Sequence, residues 1–119
     1  MKAKPVQLVY GEGYVQCTPD DATHVTLRIP GPTGLLTLPV IRSGTREGTG
    51  CWTWNGSTDA PTLRPSVLTQ YDGADLSWRC HSWINDGVAQ FLADCSHDLM
   101  NTSVHLLEVD EPPTGGVSA

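Results

Sequence analysis

The chain has 119 residues, 12 of them Gly and 9 Pro, and a formal net charge of −6 with its His neutral. That length suits one domain with one core, and the frequent Gly and Pro favour short strands and turns over long helices. The acidic balance repels phosphate backbones and argues against nucleic-acid binding, and no apolar run approaches the roughly 20 residues of a membrane helix.

In chain order, residues 1–4 read as a frayed end. Val6-Tyr10 and Tyr14-Cys17 are candidate strands. No apolar stretch of signal-peptide length occurs at the start, because Gly11, Glu12 and Gly13 interrupt it, so the expected location is the cytoplasm. His24-Ile29 alternates Val25, Leu27 and Ile29 with His24, Thr26 and Arg28, a strand with one polar face. Leu35-Ile41 follows, and Pro39 makes it an edge strand or ends it. Residues 43–50 read as a loop. Cys51-Asn55 sets Trp52 and Trp54 on one face, before an Asn55-Gly56 turn.

Pro61-Ser66 is extended because each Pro fixes its own φ and restrains its predecessor. Val67-Tyr71 and Leu76-Ile84 are strands joined at Asp72-Gly73, and Val88-Ala93 returns through Asn85-Asp86-Gly87. Asp94-Thr102 holds at most a short helix near 95–102, and Ser103-Val109 is a last strand. The fold class is therefore all-β, mainly antiparallel, as a small sandwich or partly open barrel. Residues 1–109 form a single domain and 110–119 a flexible Pro/Gly-rich tail.

Six of the eight Cys and His residues fall at three places: Cys17 with His24, Cys80 with His81, and Cys95 with His97. The 76–93 hairpin is expected to set Cys80 and His81 opposite Leu92 and Phe91, with Cys95 close by. Mixed thiolate and imidazole ligands suit zinc, so the six are candidate metal ligands around one Zn site. Adjacent strand residues point to opposite faces, so only one of Cys80 and His81 enters that site unless a bulge intervenes. The plainer reading is that buried Cys and hydrogen-bonded His serve the core. A Cys80–Cys95 disulfide is a third, disfavoured in a reducing compartment. Asp94 suits either orienting an imidazole or capping a turn. Ser66, Ser82 and Ser96 lie in no Gly-x-Ser-x-Gly elbow, and no serine hydrolase is expected.

The ordered motifs WTWNG (52–56), PTLRPSV (61–67), CHSWINDG (80–87) and FLADCSH (91–97) resemble DUF6527, a family of small phage and bacterial proteins. Some of its members stand beside bacterial ubiquitin-like conjugation genes. The resemblance implies a metal-binding β domain. It maps the family's Cys-His pair onto Cys80 and His81 and its later His onto His97, keeps Cys17 and His24, and demotes Cys95. The expected function is a zinc-binding, non-enzymatic module of phage or bacterial origin that engages a protein partner or modulates a host. One alternative is a zinc-dependent hydrolase with three ligands, such as Cys17, His81 and His97, a metal-bound water, and Asp94 or Asp86 as base. The other is a metal-free acidic inhibitor of a host protein.

Overall fold

Alternation along His24–Ile29 organises the first sheet: every second side chain, Val25, Leu27 and Ile29, is buried. The computed structural model describes residues 1–41 and 51–110. The strands are β1 (Ala3–Val9), β2 (Gly13–Gln16), β3 (His24–Ile29), β4 (Gly34–Ile41), β5 (Trp52–Trp54), β6 (Leu63–Arg64), β7 (Val67–Asp72), β8 (Ser77–Asn85), β9 (Val88–Phe91) and β10 (Ser103–His105). A 3-10 turn at Pro19–Asp21 is the helical element among the described residues.

Six strands form one sheet in the order β2-β1-β3-β4-β5-β6, and four form a second in the order β10-β9-β8-β7. Pairing is antiparallel except between β4 and β5. Val25, Leu27, Ile29 and Leu38 of the first sheet share one apolar cluster with Val67, Cys80, Ile84, Ala89 and Phe91 of the second. Each large aliphatic buried there contributes about 1.5–3 kcal/mol. The molecule is thus the expected all-β sandwich, and neither sheet closes into a barrel.

Several local expectations change. Residues 1–4 are not frayed: Ala3 opens β1 fully buried, and the amides of Lys2 and Ala3 both donate to the Thr58 carbonyl. Pro39 neither ends β4 nor marks an outer strand, since β4 lies between β3 and β5. The Val40 amide donates to Thr23, so the ring nitrogen of Pro39 faces away from β3, and β5 pairs with β4 only at Val40 and Ile41. No ladder bond is lost there. The 95–102 stretch makes successive turns, closed by Met100 to His97 and Thr102 to Leu99 amide-to-carbonyl bonds. Residues 42–50, with the loop expected at 43–50, and residues 111–119 of the expected tail lie outside the described residues.

The second sheet carries the site. Asp86 and Gly87 both take positive φ (53° and 79°), forming the two-residue turn that joins β8 to β9. Its tightness fixes Asn85 opposite Val88 and Ser82 opposite Phe91. The register therefore differs by one residue from that expected: His81 faces Leu92, whose amide donates to the His81 carbonyl at 2.9 Å. A one-residue slip exchanges the faces of every side chain. Cys80, Ser82 and Ile84 point into the sandwich, while Arg79, His81 and Trp83 line its outer surface.

Candidate active site

Three side chains converge on that outer face. Ser66 immediately precedes β7, where Leu68 lies opposite His81, so Ser66 sits diagonally across from the imidazole. Its Oγ is 2.9 Å from His81 Nε2. On the other side of the ring, Nδ1 lies 3.0 and 3.1 Å from the two carboxylate oxygens of Asp94. With Nδ1 protonated, the ring donates to Asp94 and accepts the Ser66 hydroxyl proton. The bond from His81 is the leading cause holding the Asp94 carboxyl below its usual range; partial desolvation opposes it, and the charges of His81 and, more weakly, Arg79 assist.

Asp94 reaches His81 because the chain leaves the ladder there. Leu92 stands opposite His81, yet the next residue with a backbone-to-backbone bond to β8 is Ser96: its amide donates to the Arg79 carbonyl at 3.0 Å and its Oγ accepts from the Arg79 amide at 2.7 Å. Regular pairing would put Asp94 opposite Arg79. The intervening residues bulge outward and aim Asp94 at the ring. Cys95 turns inward at the same bulge. Its Sγ accepts from the His81 amide at 3.3 Å and donates to the His81 carbonyl at 3.1 Å. From the opposite flank, the Trp52 indole donates to the Ser66 carbonyl at 3.3 Å, tying the serine to the first sheet. Arg64 lies over the Trp83 ring at 5.2 Å and donates to Asn85 Oδ1.

The six candidate metal ligands are dispersed. His24 begins β3 in the other sheet, bonded to Thr23 Oγ1 at 2.9 Å and edge-on to Tyr14. Cys17 follows β2, and burial followed by the charge of Asp21 pushes its thiol up. Cys80 is buried on the core face, its thiol also pushed up chiefly by burial. His97 packs edge-on against Phe91, a core-face residue, with its Nδ1 accepting the Leu99 amide at 3.3 Å. Cys95 lies in the same core cluster as Cys80, and where it meets His81 the sulfur touches that residue's backbone, not its ring. Among the described residues, no group of three or more His, Cys, Asp or Glu is placed to hold a metal ion.

Residues 4–92 match the model of BubE, described as a bacterial ubiquitination-like system serine protease. The chain belongs to the BubE family. The matched span contains Ser66 and His81, and Asp94 lies two residues beyond it. No curated protein and no solved structure matches the chain.

BubE, not DUF6527, is thus the family, and its description names a bacterial system with no reference to phages. The reading as a non-enzymatic zinc module is overturned, and with it the three-ligand zinc hydrolase and the metal-free inhibitor: the family is described as a protease, and no metal-holding group is assembled among the described residues. No helix among the described residues is long and apolar enough to cross a membrane.

Ser66 stands in no elbow motif, so no local serine signature marks it. A usable signal was present. A hairpin turn at Asp72-Gly73 brings the start of β7 level with His81, and Asp94 follows β9 where a carboxylate can orient an imidazole.

Proposed function

We propose that the chain is a serine protease of a bacterial ubiquitination-like system, with Ser66 as nucleophile, His81 as general base and acid, and Asp94 as the group that orients the ring. The observation that carries this is the continuous relay of 2.9 Å from Ser66 Oγ to His81 Nε2 and 3.0 Å from His81 Nδ1 to Asp94. Serine is a weak nucleophile at its own pKa and needs an adjacent base within hydrogen-bond reach, itself held by a third group. Family membership supports the same reading.

In the reaction, Ser66 Oγ bonds to the scissile carbonyl carbon as its proton passes to His81 Nε2. The protonated ring then donates that proton to the departing amine as the carbon–nitrogen bond breaks, leaving an acyl group on Ser66. A water activated by the neutral ring releases the acyl group as a carboxylate and regenerates the serine. Asp94 stays ionised throughout, fixing the tautomer and stabilising the imidazolium. The natural substrate on this reading is a protein of that system.

The test is covalent labelling of the full chain with an alkyl fluorophosphonate, read by peptide mass mapping. The expected adduct is on Ser66, absent in Ser66→Ala and strongly slowed in His81→Ala. A folded wild-type chain that takes no label, or takes it equally in Ser66→Ala, sinks the assignment.

A further inference from the structure

Beside the relay lies a cleft of about 340 Å³, lined by Gln70, Tyr71 and Asp72 of β7, Ser77, Trp78 and Arg79 of β8, and Ser96. Its Gln70 and Arg79 form the row next to the triad on the same outer face. Gln70 pairs with Arg79 as Leu68 pairs with His81, and Ser96 stands against Arg79. Arg79 lies two residues, about 7 Å, from His81 along β8, and Gln70 lies four residues, about 13 Å, from Ser66 along β7, so the cleft is one to two same-face side-chain repeats of an extended peptide away. A peptide held with its scissile carbonyl at Ser66 therefore extends a nearby side chain, or its terminus, into this cleft.

The cleft's chemistry is specific. Only 7 Lys and Arg occur in a chain of net charge −6, yet Arg79 is one of them and projects into the cleft. Its guanidinium makes one hydrogen bond among the described residues, from Nε to Gln70 Oε1 at 3.4 Å. That bond leaves the two terminal nitrogens for a ligand. Asp72 shares the cleft lining but forms no ion pair with Arg79, whereas the site's other cation, Arg64, is engaged by Trp83, Asn85 and the Leu63 and Ile84 carbonyls. A planar guanidinium with two unused donor nitrogens matches a carboxylate.

We propose, resting on the serine-protease reading, that this cleft is the substrate subsite for a carboxylate carried about two to four residues from the scissile bond, bound by Arg79 and oriented through Gln70. The carboxylate comes from an acidic side chain or from the substrate's own C-terminus.

The experiment compares labelling rates of the full chain by peptidyl phosphonate probes that react at Ser66. One pair carries glutamate or glutamine near the phosphorus, and a second pair ends in a free carboxylate or its amide. The expected wild-type result is a preference of about tenfold or more for the carboxylate member of one pair, the size of one charge-assisted hydrogen bond. Which pair shows it identifies the source. Arg79→Gln should bring that ratio to near one, and Arg79→Glu should reverse it in favour of a lysine-bearing probe. Equal wild-type rates within both pairs, or a preference that survives in Arg79→Glu, overturns the subsite while leaving the triad intact. Failure of every probe to label Ser66, together with failure of the alkyl fluorophosphonate, overturns the protease reading instead.

Discussion

Cys95 grips both backbone polar groups of His81, accepting from its amide at 3.3 Å and donating to its carbonyl at 3.1 Å. The thiol thus does the work of a missing ladder residue at the bulge that delivers Asp94. Because Asp94 and Cys95 are adjacent, one short segment sets both the ring's anchor and its orienting carboxylate. Cys95→Ala leaves the His81 amide without that partner and opens a small void. The expected cost is about 1–3 kcal/mol of stability, with a fall in kcat larger than any change in KM. Cys95→Ser supplies a hydroxyl in the same position and should recover most of the rate. Thermal melts and steady-state kinetics of the two variants check this.

Asp94→Asn keeps the shape of the orienting group but favours the wrong tautomer of His81. A fully buried carboxylate in this role is worth roughly ten-thousandfold in kcat, and the half-exposed Asp94 should give a smaller loss of at least about tenfold. The same pairing has a pH signature. Since the folded-state pKa of Asp94 is lowered, its contribution to stability is fully present above the ordinary aspartate range, near pH 4, and is lost as pH falls through the lower folded value. The melting-temperature gap between wild type and Asp94→Asn should therefore be flat near neutrality and close only in acid. A gap that closes between pH 6 and 8 would contradict this.

Ser82 offers a contrast to Ser66. It is almost fully buried one residue from His81, on the core face, and its hydroxyl has no hydrogen-bond partner among the described residues. Ser82→Ala removes an unsatisfied polar atom, so stability should hold or rise slightly while activity and fluorophosphonate labelling persist. Ser66→Ala should show the opposite pattern, a folded chain that takes no label. Parallel melts and labelling of the two variants distinguish the serines.

Gly87→Ala should destabilise without touching the site chemistry. Gly87 has φ of +79°, and an added Cβ would stand 3.2 Å from both the Ala60 Cα and the Asp59 carbonyl oxygen. Neither backbone atom can swing aside. A loss of about 1–3 kcal/mol, seen as a melting temperature lower by several degrees, is expected.

The fold was largely legible because period-2 alternation in His24–Ile29 and the Asn85-Asp86-Gly87 turn each demand a single local geometry. Half of the site was legible too. Hairpin pairing brings His81 near residue 94, and an ionised carboxylate beside an imidazole has few uses. What concealed the rest was register and the cysteines. Placing Phe91 rather than Leu92 opposite His81 turned the ring toward the wrong neighbours, and the four Cys drew the chemistry toward metal. Cys80 turns out to be core, and Cys95 a clasp on a strand. Ser66 carries no motif of its own. It meets the His81 ring only because β7 and β8 pair in one register, information spread over both strands.

The parity of β8 has a consequence for how such a chain tolerates change. Residues 80, 82 and 84 answer to the packing of the sandwich, while 79, 81 and 83 lie on the outer face that carries the proposed site, so on that proposal neighbouring codons sit under different selective pressures. A saturation library across Ser77–Asn85, scored separately for protein abundance and for proteolysis, should oscillate in antiphase: abundance scores dip at the even positions, and proteolysis scores dip at the odd positions where abundance does not. Specificity can then drift without eroding the scaffold that displays it.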